Sequence, residues 1–438
     1  MKRKISLVVG MFFILIGIGA NQKCMRILFG PYLLPSFTHR LFLLLAEISL
    51  LTLGYITIVS WQKKWLPKLY ITLITIVLSL LLAEIYFRLF NPQIITDKHG
   101  LLFRYHHTLG WEFIPGVNST YASSGEFYNH ITINTQGFRD KLYTREKPKG
   151  KKRIAILGDS FTSGLEVESD SVFTEILEQK LTDVEVLNFG VNGYGLTQEY
   201  LLLKDTVLAY DPNLIIIVVY IGNDFDDTMG TLDWDRQYDR PLLKRVDDRF
   251  EITNIPIPLP HARPKIGYIA LPRLHIIEFL KRNFFNKYAL KYLPNELKLA
   301  KKELTPDVVE EYQAAVAIIR RMAQEIPNTS DFLIVLAPTQ TQVSAETVWK
   351  PLVDYYQLSM DDYDLNIPNK KLREELEKYN IPVHDLLPDL KTADSQNIKT
   401  YFLRNRHWTT QGHTVVAKSL SEYLEKNYAI SENLVETD

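Results

Sequence analysis

Three long runs of apolar residues dominate the first ninety positions of the chain. They cover residues 5–20, 41–61 and 69–90. The second and third runs, as helices rising ~1.5 Å per residue, are long enough to cross a hydrocarbon core of ~30 Å. The first is shorter and follows three basic residues, so it is either a signal-peptide core or a third spanning helix. We favour a third helix, because no small-residue cleavage site follows it. The pattern predicts a membrane region of about three transmembrane helices over residues 1–92.

Basic residues predict how this region is oriented in the bilayer. Positively charged positions precede the first run, and Lys63, Lys64 and Lys68 separate the second from the third. Short loops rich in lysine and arginine tend to stay in the cytoplasm. This predicts a multi-pass protein in which everything after Phe90 is extracytoplasmic. Basic residues in the loop between the first two runs work against this orientation.

The pattern changes twice after the membrane region. Residues 93–150 alternate short β-type segments with turn residues, which indicates a β-rich lead-in that ends in a polar linker. From residue 151 to about residue 430, apolar runs alternate with amphipathic segments. Repeated β-α units predict an α/β fold with a parallel sheet, and such sheets bind ligands at the carboxyl ends of their strands.

The alternation of predicted strands and helices is interrupted over residues 226–304, which predicts an insertion or lid. Within it, residues 273–293 mix basic and aromatic side chains. We interpret that segment as an ordinary surface helix, and contact with a membrane surface or a glycan is the alternative.

Charge and cysteine content exclude several classes of protein. The formal net charge is −1, so no overall field favours nucleic acid as a partner. Cys24 is the single cysteine, so an internal disulfide framework is impossible and a thiolate zinc cluster is not expected. The sequence contains no pattern typical of a metal or nucleotide site, and no cofactor is predicted.

Four short segments carry side chains or backbone suited to acyl transfer. Gly158, Asp159 and Ser160 follow directly on the first strand of the α/β region. Gly193 lies in a glycine-rich stretch after the second strand, and Asn223 follows the third. A histidine, His407, precedes the final helix. Each segment alone is ambiguous, since aspartate, serine and glycine are ordinary turn residues. Together they supply a nucleophile, a base and oxyanion donors at one edge of the sheet.

These motifs, in this order, resemble the SGNH or GDSL hydrolase family over roughly residues 150–428. The resemblance implies a flavodoxin-like three-layer α/β/α sandwich. It also implies that Ser160 is the nucleophile and His407 the base. The Ser160 N–H, the Gly193 N–H and the Asn223 side chain would then form the oxyanion hole.

One feature departs from the family pattern. Members usually place an aspartate two or three residues before the histidine, and those positions here are Asn405 and Arg404. We therefore predict that Asn405 or a backbone carbonyl orients His407, and weakened or lost activity is the alternative. The segments 158–164, 338–343 and 407–412 are also similar, more loosely, to the alginate-type O-acetylation proteins of bacterial envelopes.

The predicted function is serine-dependent hydrolysis of an O-acyl ester, with acetyl as the expected group, on an envelope or exported polysaccharide. The same Ser-His chemistry would serve an O-acyltransferase that moves the group to a glycan hydroxyl. A non-catalytic glycan-binding or assembly protein that retains the fold is the third interpretation. The predicted partners are an acylated glycan or another ester substrate and the lipid bilayer; no protein partner is indicated.

Overall fold

The structure is a computed structural model that describes residues 2–19, 37–60, 62–90, 102–123, 126–230, 239–259, 295–428 and 430. The chain divides into two compact units. The described part of the first consists of helices that end at Phe90, and that of the second begins at Leu102. The basic, aromatic segment predicted over residues 273–293 lies outside the described residues.

In the first unit, a helix overlaps each of the three apolar runs. These are α1 (Lys2–Gly19), α2 (Phe37–Val59) and α3 (Trp65–Phe90). Among the described residues, α3 is the one helix that is long and apolar enough to cross a membrane. The apolar stretch found in α2, Glu47–Val59, is shorter than a span requires. The described residues therefore contain one candidate span, where the sequence pattern predicts about three.

The lead-in consists of two antiparallel hairpins. Strand β1 (Phe103–His106) pairs with β2 (Gly110–Phe113), and β3 (Asn118–Ser123) pairs with β4 (Phe127–Thr132). Alternate residues of β4 are buried and exposed, which is the pattern of a strand with one face on a core.

Five parallel strands form the central sheet of the second unit. They are β5 (Lys152–Leu157), β6 (Val184–Asn188), β7 (Leu214–Tyr220), β10 (Asp331–Ala337) and β11 (Val383–Asp385). The two strands between β7 and β10 in the chain, β8 (Leu242–Val246) and β9 (Arg249–Thr253), are not part of this sheet. Their spatial order is β11-β10-β7-β5-β6. Read from the β6 edge, the five strands lie in the order 2-1-3-4-5, which is the flavodoxin-like doubly wound order. The predicted parallel-sheet α/β fold is confirmed.

Both faces of the sheet are buried, which explains why the interior positions of its central strands are apolar. Ala155 and Leu157 belong to one core, whereas Ile154 and Ile156 belong to the other. Helices cover both faces, so the unit has three layers. In chain order the helices are α4 (Ser160–Ser163), α5 (Phe173–Lys180), α6 (Leu196–Asp205), α7 (Asp224–Met229), α8 (Pro306–Glu325), α9 (Gln340–Val343), α10 (Lys350–Tyr356), α11 (Ile367–Glu377), α12 (Leu387–Ser395) and α13 (Thr410–Tyr428).

The described part of the predicted insertion contains regular structure. Strands β8 (Leu242–Val246) and β9 (Arg249–Thr253) form an antiparallel hairpin. A short 3-10 helix, Asn295–Ala300, precedes α8. The hairpin packs on the same core as the lead-in, because Leu243 is fully buried within it.

Candidate active site

Ser160 begins helix α4 immediately after the central strand β5. The carboxylate of Asp159 caps this helix by accepting the backbone N–H of Phe161 at 2.9 Å. A Cβ at Gly158 would collide with the Thr162 side chain, so the chain can turn here only with glycine. The turn leaves Ser160 half-buried at the carboxyl edge of the sheet.

His407 reaches Ser160 from the loop before α13. The Nε2 atom of His407 lies 2.6 Å from the Ser160 Oγ. The imidazole stacks on the ring of Phe161 with the ring centroids 4.7 Å apart. Thr409 then caps α13 by accepting the backbone N–H of Gly412 at 3.2 Å. The two residues, 247 positions apart in the chain, are thus in direct hydrogen-bond contact.

Asn405 occupies the other side of the imidazole. Its Oδ1 lies 2.7 Å from the His407 Nδ1, and its backbone carbonyl oxygen is 3.2 Å from the same atom. Both oxygens are acceptors, so Nδ1 carries the proton and Nε2 is free to accept the Ser160 hydroxyl proton. Burial lowers the pKa of His407, and the negative charge of Asp159 opposes that shift. The neutral imidazole that a base requires is therefore favoured.

Gly193 and Asn223 lie on the loops on either side of Ser160. Strands β6 and β7 flank β5 in the sheet, so the loops that follow these three strands meet at one edge. Gly193 has a left-handed φ of +74°, which glycine adopts without strain. The Ser163 hydroxyl on α4 donates to the Asn192 Oδ1, and this bond fixes the Gly193 loop against the helix that begins at Ser160.

Asn223 is held by a buried ion pair. Its side-chain amide donates to the Asp227 Oδ2 at 2.7 Å. The other carboxylate oxygen of Asp227 is 2.8 Å from the Nη1 of Arg240. Asp227 is 1% exposed and Arg240 is 7% exposed, so this pair is shielded from water. The orientation of the Asn223 amide consequently depends on the insertion, which supplies Arg240.

The lead-in takes part in the site, which the sequence analysis did not predict. The Trp111 indole N–H donates to the carbonyl of Asn192 at 3.1 Å. The guanidinium of Arg240 lies over the same indole ring, 5.3 Å from its centroid. Trp111 therefore contacts the supports of both Gly193 and Asn223. No local sequence signal indicates this role, because Trp111 lies in an ordinary strand pattern.

Glu166 is a second residue that the sequence analysis missed. One of its carboxyl oxygens lies 3.4 Å from the His407 Nδ1, and its side chain is 1% exposed. The sequence feature that could have indicated its burial is a glutamate between two apolar residues, Leu165 and Val167, in the loop that follows α4.

His413, the other histidine of the C-terminal segment, is separate from the nucleophile. It is buried within α13, where its Nδ1 accepts the backbone N–H of Phe173 at 3.3 Å. Burial lowers the pKa of His413 to about 3, assisted by the positive charge of Arg139. This histidine is a neutral core residue. Across the described residues, no group of three or more His, Cys, Asp or Glu side chains could hold a metal ion.

Comparison with known proteins agrees with this geometry. The family model described as GDSL-like Lipase/Acylhydrolase matches residues 154–420, which is more than half of the chain. The chain belongs to this family. It is therefore an ester hydrolase of the SGNH type, and the family match spans the sheet, Ser160 and His407.

Several solved structures are similar to the chain at low identity. A lipolytic protein of the G-D-S-L family from Veillonella parvula is 14% identical, with 64% of this chain and 98% of that chain covered and a TM-score of 0.33. A lipase/acylhydrolase from Enterococcus faecalis is 12% identical, with 64% of this chain and 98% of that chain covered and a TM-score of 0.34. An acetylxylan esterase from Geobacillus stearothermophilus is 11% identical, with 63% of this chain and 93% of that chain covered and a TM-score of 0.34. Among curated proteins, none matches the chain.

Proposed function

We propose that this GDSL-family protein is a membrane-anchored esterase in which Ser160 is the nucleophile and His407 the general base. The observation that carries the proposal is the 2.6 Å separation between the His407 Nε2 and the Ser160 Oγ. That distance lies within the range over which a base removes a hydroxyl proton. The Asn405 oxygens hold the tautomer in which Nε2 accepts.

The reaction proceeds in two steps through an acyl-enzyme. His407 takes the Ser160 proton as Oγ attacks the acyl carbon, and the alcohol leaves with that proton. Water then attacks the acyl-enzyme while His407 takes its proton, and the carboxylic acid departs as Ser160 is restored. The N–H groups of Ser160 and Gly193 and the amide of Asn223 stabilise the oxyanion in both steps.

The proposed substrate is an O-acylated polysaccharide of the cell envelope or an exported one, with acetyl as the acyl group. A chain fixed in a bilayer by α3 meets esters close to the membrane surface. The basic residues Lys63 and Lys64 favour an extracytoplasmic position for the catalytic unit, on a protein that crosses the membrane more than once. The looser similarity to alginate-type O-acetylation proteins supports the same substrate class.

The test uses the full chain in detergent micelles with p-nitrophenyl acetate and with O-acetylated glycans. We expect the wild type to release acetate and Ser160→Ala to lose this activity. The control variant Ser169→Ala, which changes an exposed serine after α4, should keep it. Transfer of acetyl to an added glycan hydroxyl, without acetate release, would show an acyltransferase. A folded wild-type protein that neither hydrolyses nor transfers the acyl group would overturn the enzymatic proposal.

A further inference from the structure

Glu166 is a buried carboxyl group with an unusual lack of hydrogen bonds. Neither of its carboxyl oxygens is exposed, and neither accepts a hydrogen bond from another residue in the described part of the chain. Leaving a buried acceptor unsatisfied costs roughly 1–3 kcal/mol, and more when it is charged. A buried group without a partner therefore requires an explanation in the function of the molecule.

The loop that carries Glu166 is rigidly held. The guanidinium of Arg139, itself buried, donates to the backbone carbonyls of Ser163, Gly164 and Val167. The amide of Asn129 donates to the carbonyl of Leu165 at 3.0 Å. These hydrogen bonds of Arg139 go to the loop backbone, and the loop holds Glu166 beside the imidazole of His407.

The Glu166 carboxyl lies beside the imidazole of His407. The Glu166 Oε1 and the His407 Nδ1 are 3.4 Å apart. In the resting site the Nδ1 proton is directed to Asn405, whose Oδ1 is closer at 2.7 Å. Asn405 is neutral, so it sets the tautomer of His407 without supplying charge. The imidazolium that forms when His407 takes the Ser160 proton needs an anion, and Glu166 is placed to provide it.

We infer that Glu166 is the anionic positioning residue of this active site and replaces the aspartate that family members carry before the histidine. The function of that aspartate is divided here between Asn405, which orients the ring, and Glu166, which stabilises its charged form. Glu166 gains its partner only as the reaction proceeds, and an interaction that is stronger in the transition state accelerates the chemical step. This inference rests on the proposed roles of Ser160 and His407.

The surroundings of Glu166 predict how the interaction depends on pH. Burial raises the pKa of Glu166 to about 8, and the positive charge of Arg139 opposes the rise. His407 on the facing loop is 3.4 Å from Glu166. The charge of Arg139 also interacts with Glu168 on the same loop and with His413 on α13. Glu166 becomes anionic as pH rises through that value, so turnover should rise there in addition to the ordinary titration of His407.

The experiment measures kcat, KM and their pH profiles for full-length Glu166→Gln, which keeps the size of the side chain. We expect kcat to fall at least about tenfold with little change in KM, since an opposite charge within about 4–6 Å shifts a pKa by roughly 1–3 units. The rise near pH 8 should disappear. The matched control is Glu168→Gln, an exposed glutamate two positions further on, which should behave as wild type.

A rescue variant separates a charge effect from misfolding. In Glu166→Gln with Asn405→Asp, a carboxylate at the ring nitrogen should restore most of the lost kcat. Wild-type kcat in Glu166→Gln, or a loss that Asn405→Asp does not rescue, would overturn the role of Glu166. Ester hydrolysis that survives in Ser160→Ala would instead refute the proposed catalytic pair, so the two failures are distinguishable.

Discussion

The carboxylate of Glu126 accepts the backbone N–H of Asn405 at 2.9 Å across 279 positions of the chain. Its second oxygen accepts the N–H of Arg404 at 2.7 Å. Glu126 immediately precedes β4 in the lead-in, and the Asn405 side chain contacts the imidazole of His407. The lead-in therefore forms part of the support of the candidate active site, and three of its residues, Glu126, Trp111 and Arg139, each bond to a different loop around Ser160 and His407.

Removing the Glu126 carboxylate should loosen the His407 loop. Glu126→Ala leaves two backbone N–H groups without their acceptor, and a misplacement of about 1 Å can lower turnover by roughly 100-fold. We expect kcat to fall by about 10- to 100-fold while KM changes little, measured on an aryl ester. Glu146→Ala, an exposed glutamate of the linker, is the control. An unchanged kcat in folded Glu126→Ala would show that the loop holds its position without this contact.

The two histidines of the C-terminal segment should respond differently to substitution. His407→Ala should abolish turnover, because His407 is the group 2.6 Å from the Ser160 Oγ, whereas the Asp159 carboxylate is 3.3 Å away and caps helix α4. His413→Ala should mainly lower the melting temperature, because it removes a buried side chain that accepts the Phe173 N–H. A serine-reactive phosphonate reports directly on Ser160 in both variants. Labelling that survives His407→Ala and disappears in folded His413→Ala would reverse the assignment.

Asn223→Ala should reduce turnover and leave the fold intact. An oxyanion donor is typically worth a factor of about 10²–10³ in kcat. The amide is anchored on Asp227, so its loss removes a hydrogen bond from a carboxylate that Arg240 continues to neutralise. Thermal unfolding checks the fold and steady-state kinetics check the donor. Equal kcat in wild type and Asn223→Ala would exclude this amide from the oxyanion hole.

The acid limb of the pH profile should lie below the ordinary histidine value. His407 must be neutral to accept the Ser160 proton, and burial lowers its pKa from 6.5. The activity that remains below the Glu166 titration should therefore persist as pH falls through 6.5 and be lost only at lower pH, when the imidazole gains its proton. The measurement is kcat/KM against pH with an uncharged ester. A midpoint above the ordinary value would mean that the negative charge of Asp159 outweighs burial.

Fusions after residue 95 should test the proposed topology. The basic residues Lys63, Lys64 and Lys68 before the main part of α3 favour a cytoplasmic position for that loop. A reporter that functions only after export should be active at this junction, and a reporter that functions only in the cytoplasm should be silent. The opposite pair of results would place the catalytic unit inside the cell.

Local patterns were sufficient to predict the α/β unit. Runs rich in apolar residues predicted the strands near Arg153, Val184, Leu214 and Phe332, because a strand buried on both faces is mostly apolar. Ser160 and His407 were recognisable since each lies at a fixed place relative to a strand end or a helix start. Asn405 was also predictable, because its distance from His407 is set by two residues of chain.

The rest of the site depends on contacts that no local pattern records. Trp111, Glu126, Glu166 and Arg240 occur in segments whose composition is ordinary for strands and loops. Their roles arise from packing between distant segments: the indole of Trp111 reaches Asn192 across 81 positions, and Glu126 reaches Asn405 across 279. Hydrogen bonds and charge pairs act over a few ångströms, whatever the separation along the chain. The sequence by itself therefore determined which residues are the candidate reacting groups, and only the tertiary structure decided which residues surround and support them.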